Sequence, residues 1–302
     1  MQRSPEPAAA RGAVGATPTR SRLGRAGVYL LFVAGLIVFW EGLKFIGGDP
    51  WRYFGLEWRP PLKITTVNDQ SLPHLWDIVG TMIGPYRRNA DQSLFVYLVL
   101  KALYTWREAA IGFVLGGLLG ISLAAAFVHS QLLERAFVPY VVASQTIPIV
   151  ALAPMIVFFF GNNVMSVVII ATYLTFFPVT IAMIRGLRSP DPRALELMRS
   201  YAASRRTVLW KLRLPASLPY LFTALKITAT ASIVGAIIGE GPGAIQNGLG
   251  WSIIEFNQQY VTNPAKLWGA IFVASLLGVS FYALVRLVEL RVLRGRPEAT
   301  AG

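Results

Sequence analysis

The chain has 302 residues, 54% of them hydrophobic and only 14% charged, with a mean hydropathy of +0.52, which excludes an ordinary soluble domain and points to an all-α polytopic membrane protein. Its formal charge of +13 sits mostly in the two ends and one central loop, without the interleaved aromatic and basic residues that read bases, so no nucleic acid partner is expected. Cysteine is absent, which removes disulfides, thiolate chemistry and Cys-ligated metals.

Residues 1–26 are rich in Ala, Pro and Gly and carry Arg3, Arg11, Arg20, Arg22 and Arg25 against Glu6, so they read as a disordered basic tail on the cytoplasmic side. Residues 27–46 form a first, uncleaved transmembrane helix with Glu41 and Lys44 near its outer end. Residues 47–103 read as an external loop with two weakly amphipathic helical patches, near His74–Ile83 and Gln92–Leu103. Its Trp51, Tyr53, Trp58, Trp76 and Tyr86 suit interface anchors, with a ligand box as the alternative. His74 and His129 lack any ligand spacing, so no metal site is expected.

A core of five further spans fills residues 104–288. The second span, about Tyr104 to Val128, places Gly112, Gly116 and Gly120 on one stripe, a pattern that lets helices approach closely in lipid. In the third, about Phe137 to Phe160, Pro139, Pro148 and Pro154 predict kinks whose freed carbonyls suit a cavity wall. Ser144, Gln145, Thr146 and Pro148 lie among these kinks, with a cavity wall or plain packing as the two readings. Gly161-Asn162-Asn163 is a turn, and the fourth span runs from about Val164 to Ile184.

The loop over 185–215 holds eight basic residues (Arg185, Arg188, Arg193, Arg199, Arg205, Arg206, Lys211, Arg213) against Asp191 and Glu196, which keeps it inside. Asp191 and Pro192 start a helix whose Leu195, Met198 and Tyr201 share a face. A small-residue turn, Ala202-Ala203-Ser204, precedes a second short apolar face that Leu214-Pro215 closes. Such a pair of short helices suits presentation of a knob to a cytoplasmic partner, the plain topology loop being the alternative.

The fifth span, about Ala216 to Ile238, carries Lys226 ten residues in, roughly 15 Å along and near mid-membrane, which makes it a candidate pathway cation or a structural charge. Gly239 to Pro264 is an external loop in which Glu240 is a gate or a cap. The sixth span covers about Ala265 to Leu287, and residues 289–302 form a second inside tail. No phosphate-cradling GxxxxGK[ST], nucleophile elbow, His and carboxylate cluster or paired intramembrane acids are visible, so no enzymatic activity is expected.

Four segments resemble one family. The loop resembles the EAA loop of permease subunits of binding-protein-dependent ATP-binding cassette (ABC) importers: anchoring on Leu214-Pro215 puts Glu196 on the motif's Glu, Ala202 on its Gly and Leu212 on its late apolar position. Leu197 and Met198 replace the Ala-Ala pair, and Ala in place of Gly predicts a turn free of left-handed backbone. RxxxxGFxxGxxxG over Arg107–Gly120 is similar to the nitrate, sulfonate and taurine branch, and SQTIPIVALAP in the third span and Gly248-Leu249-Gly250 before an apolar patch resemble elements of the family. The third-span resemblance makes Ser144, Gln145, Thr146 and Pro148 candidate pathway residues, with plain packing as the alternative. The resemblance implies six spans in a bacterial inner membrane with both ends inside, a homodimer, ATPase subunits docked on Glu196, Met198, Tyr201, Ala202, Ala203, Ser204, Leu212 and Pro215, and an external solute-binding protein. It also implies that ATP is bound by the separate ATPase and that the cargo is a small organic or anionic solute of the nitrate, sulfonate, taurine, thiamine-precursor or riboflavin type. The alternatives are a secondary transporter or channel coupled through Lys226 and Glu240, and a non-transporting scaffold.

Overall fold

The computed structural model describes residues 22–294, except 54–55, 63, 88–89 and 242–244. The expected tails therefore lie largely outside the described residues. The chain divides into two units, one ending at Leu75 and one beginning at Trp76.

The first unit is built on α1 (Arg22–Gly47), whose apolar length Gly27–Gly47 is long enough to cross a membrane. The two charged residues within Gly27–Gly47 are met by the segment that follows. Lys44, fully buried, donates to Asp69 and to the Leu72 carbonyl at 2.6 Å, while Glu41 lies 2.7 Å from His74 Nδ1 and accepts from the Leu75 amide. A short antiparallel hairpin, β1 (Trp51–Tyr53) with β2 (Leu56–Trp58), interrupts the otherwise helical chain, and Trp58 stacks on Phe45 with ring centroids 4.6 Å apart.

In the second unit α2 (Leu75–Ile83) precedes α3, which starts at Leu94 rather than near Tyr104 and runs to His129. Ser93 caps it by accepting from the Val96 amide, so the patch expected as a separate helix is its first three turns. At 36 residues it rises about 54 Å, well beyond the roughly 30 Å of bilayer hydrocarbon.

Size, more than hydrophobicity, decides how the next helices pack. The carbons that side chains would add at Gly112, Gly116 and Gly120 fall 2.4 Å from Ala171 Cβ, 2.6 Å from Thr175 Cβ and 2.7 Å from the Phe176 carbonyl, so α3 lies backbone to backbone on α6 (Val164–Arg188). On its other side α6 meets α9 (Leu214–Gly239) just as closely, through Gly186 against Ser217 and through Gly235 and Gly239 against Ala171 and Val167. α11 (Pro264–Val292) packs on α3 and α9, where Phe281 sits between Trp106 and Phe113.

The third predicted span is broken instead of kinked. α4 (Gln131–Ser144) and α5 (Ile149–Phe160) meet at 100°, with Pro148 in extended backbone at the start of α5, while Pro139 and Pro154 stay within their helices. Among the described residues five helices are thus long and apolar enough to span, or six if this bent pair counts as one span.

The fifth span also departs from expectation. Leu214-Pro215 does not end the preceding short helix, because α8 (Arg205–Val208), one wider turn over Leu209–Arg213 and α9 form a continuous 35-residue helix. Proline has no amide for the carbonyl four residues back and its ring crowds that group. Widening the preceding turn, with Leu214 N–H on the Leu209 carbonyl, absorbs the mismatch without breaking the rod.

In thermal unfolding of the detergent-solubilised protein, Gly116→Val is expected to cost about 2 kcal/mol or more despite valine's better helix propensity than glycine, because its added carbon meets α6 backbone. Gly117→Ala, whose added carbon finds only Leu225 Cδ2 at 3.8 Å, is expected to be neutral or stabilising by up to about 1 kcal/mol. Equal behaviour of the two variants would remove the close-packing account.

Candidate functional site

The basic loop folds as a protruding hairpin between α6 and α9. α7 (Pro192–Ser200) starts where the sequence places it, with Asp191 accepting from the Arg193 amide at 2.8 Å. It ends in a Schellman turn: Ala203 N–H donates to the Met198 carbonyl at 3.0 Å and Ala202 N–H to the Arg199 carbonyl at 2.9 Å. Ala202 therefore sits at φ +48°, contrary to the expectation that alanine marks a turn free of left-handed backbone. The two closing bonds hold alanine in a conformation that costs it about 1 kcal/mol relative to glycine.

Ser204 then caps α8 through the Thr207 amide. The tip is open to solvent, with Glu196, Ala202 and Ser204 exposed, Tyr201 77% exposed, and Met198, Ala203, Leu212 and Pro215 half-buried. Trp210, 70% exposed beside them, belongs to the same surface and was not singled out from sequence. A large indole among four cations was the available signal. Behind the tip, Arg199, Arg205 and Arg213 line a cleft of about 520 Å³ with His129 and Gln131.

The predicted residues of the third span gather at the α4–α5 break. Ser144, Gln145, Pro148, Tyr173, Leu174 and Phe177 line a pocket of about 290 Å³, in which the Tyr173 hydroxyl donates to the Ser144 carbonyl freed by the break. Thr146 turns back on the Ala143 carbonyl at 2.8 Å and does not line that pocket. The pocket offers an amide, hydroxyls and apolar walls, a surface for small polar organic molecules.

Residues 116–294 match the family model described as "Binding-protein-dependent transport system inner membrane component". The chain belongs to this family. The permease is 35% identical over 229 residues to the formylaminopyrimidine transport permease protein ThiX of Halalkalibacterium halodurans, covering 71% of this chain and 88% of that one. It is 28% identical to the putative aliphatic sulfonates transport permease protein SsuC of Bacillus subtilis (63% and 67% covered) and 24% identical to the nitrate import permease protein NrtB of Leptolyngbya laminosa (74% and 77%). Its fold is similar to a chain of the inward-facing MetNI methionine ABC transporter, with a TM-score of 0.51 at 20% identity over 67% of this chain and 95% of that one. It is an ABC importer permease subunit, a multi-pass membrane protein whose family implies ATPase and solute-binding partners.

Within the permease, Lys226 is held by the Glu289 carboxylate of α11 at 2.8 Å. It does not meet Glu240: the two lie fourteen positions apart on one helix axis, about 21 Å of rise, which removes the coupling pair of the secondary-transporter reading. Glu240 instead meets Glu108. These two carboxyl groups, 0% and 1% exposed, lie within hydrogen-bonding reach of each other, so the bundle does hold a pair of acids where none was expected from sequence.

Two outcomes follow for this site. Ala202→Gly is expected to stabilise the hairpin by about 1 kcal/mol, read as slower amide exchange over residues 192–204, and unchanged exchange would contradict the strained turn. Lys226→Met or Glu289→Gln alone should each destabilise by about 2 kcal/mol, and the double variant by less than the sum, since each single change leaves a desolvated charge unpaired. Additive losses in a thermal-unfolding cycle would show that the pair carries no coupling.

Proposed function

We propose that two copies of the permease form the translocation pathway of an ATP-driven importer in a bacterial inner membrane, with both chain ends on the cytoplasmic side. ATP is bound by the separate ATPase, which docks on Glu196, Met198, Tyr201, Ala202, Ala203, Ser204, Leu212 and Pro215, with Trp210 at the edge of the contact. The observation that carries this reading is the continuity of the hairpin's second half with α9. A displacement at Ser204 is passed along a rod of about 52 Å to the far side of the bundle instead of being lost in a loop.

The pathway runs past the α4–α5 break, where Ser144, Gln145 and Pro148 face the pocket with Tyr173. α9 leaves Tyr220, Thr223, Ile227, Thr230 and Val234 exposed on one face at helical spacing, which suits a second copy across the pathway. Lys226, tied to Glu289, has a structural part. The cargo is a small organic solute of about the size of a substituted pyrimidine. The relative that supports this is the formylaminopyrimidine permease, and the uncharged lining of the pocket fits such a molecule better than nitrate or a sulfonate.

The test is reconstitution in liposomes with a candidate ABC ATPase and solute-binding protein. Uptake should require ATP hydrolysis, and Glu196→Lys should abolish co-purification of the ATPase while the variant still inserts in membranes. Uptake that persists without hydrolysis, or unchanged co-purification, would overturn the docking role.

A further inference from the structure

The importer mechanism makes no use of the acid pair, yet its surroundings are built with care. α10 (Gly248–Gln258) begins against it. Gly248 at φ +87° would, with any side chain, drive a carbon to 2.2 Å from Glu240 Cδ, and Gly250 would do the same to the Ile237 carbonyl. The first turn of α10 is bound from three directions: Asn247 Oδ1 accepts from Gly248 N–H at 3.0 Å, Thr105 Oγ1 from Leu249 N–H at 2.8 Å and Glu240 Oε2 from Gly250 N–H at 2.7 Å. Thr105 stands one turn before Glu108 on α3, so the two acids and the hydroxyl form one buried cluster under the start of α10.

Among the described residues three of the four carboxyl oxygens, both of Glu108 and Oε1 of Glu240, receive no hydrogen bond. No cation among those residues supplies the missing partner. Lys101 is spent on Asn247 Oδ1 at 2.7 Å, Glu255 of α10 is spent on Arg87 at 3.0 Å, and the Tyr104 hydroxyl and exposed Arg107 face Glu108 without closing a bond to it. Two buried like charges at contact distance are not sustainable, whereas one proton between them removes one charge and supplies the absent donor.

We propose that Glu108 and Glu240 form a single-proton site that latches the start of α10 to α3 and α9, and that α10 is released when this proton leaves. The proton belongs to the pair, and its departure puts two carboxylates against each other under the Gly250 amide. Glu240, which follows the last residue of the α9 span, is displaced in the same sense: burial, and then the facing Glu108 carboxyl, raise it above the ordinary carboxyl range against the pull of Thr105 and Gly250. A folded-state value raised in this way contributes stability that is present at low pH and lost as pH rises through that value. The inference does not depend on which solute crosses.

The test uses the full-length permease in lipid nanodiscs. Its thermal midpoint should fall by about 5 °C between about pH 6 and about pH 9. Glu108→Gln and Glu240→Gln, whose amides supply a permanent donor, should each flatten that profile and remove the infrared band of a protonated carboxyl. A profile and a band both unchanged in the two variants would overturn the proposal. So would a midpoint at high pH restored by sodium at constant pH, which would make the site a cation site. If the variants do not fold, exchange of the Leu249 and Gly250 amides in the unaltered protein, corrected for intrinsic rates, should accelerate at least about tenfold over the same pH range, and constant protection would overturn it.

Discussion

Everything in the second unit hangs on the contact of α6 with the glycine faces of its two neighbours. In lipid the hydrocarbon outside is as apolar as a leucine between helices, so attraction has to come from close van der Waals contact and from polar groups brought near backbone. Gly112, Gly116 and Gly120 of α3, with Gly235 and Gly239 of α9, let α6 make both kinds at once. The Thr172 hydroxyl bonds the Gly112 carbonyl at 3.3 Å across the seam, a bond that a side chain at position 112 would prevent. The three helices form one slab, close-packed along both seams of α6.

The parts attached to that slab are held more loosely and by different means. α4 and α5 are tied to it by the Tyr173 bond to a freed carbonyl and by the ion pair of Glu134 with Arg188 at the end of α6. The hairpin is one with the slab through α9, so its exposed tip is a handle and not an appendage. The wider turn over Leu209–Arg213 sits at the joint between handle and rod, where a local change of helical register is least costly.

What was legible in the sequence was set by local chemistry. Asp191-Pro192 starts a helix wherever it lies, the glycine stripe means close approach in any bundle, and the six apolar stretches are visible to a hydropathy window. What was not legible depended on neighbours. Pro139, Pro148 and Pro154 look alike in sequence, but only Pro148 stands where Tyr173 is placed to take up a freed carbonyl, and only there does the helix break. Residues 94–103 read as a separate amphipathic patch because their polar side faces other protein, Lys101 bonding Asn247, while the backbone runs on into the span without interruption. The left-handed Ala202 was missed because sequence shows only the penalty for alanine and not the two bonds that outweigh it.

The same distinction separates the acids. Glu134, Glu255 and Glu289 each face an Arg or Lys, and Glu41 faces His74, so each has a basic side chain beside it. Glu108 and Glu240 face each other instead of a cation among the described residues, and they occupy a junction where α10 meets the slab through polar bonds in addition to glycine contact. A junction held by hydrogen bonds yields in steps as donors are lost or gained, whereas one held by packed carbon yields only by separating. In a bundle whose main seams are carbon on backbone, the start of α10 is therefore the place where a change of protonation can alter structure without unseating α3, α6 or α9.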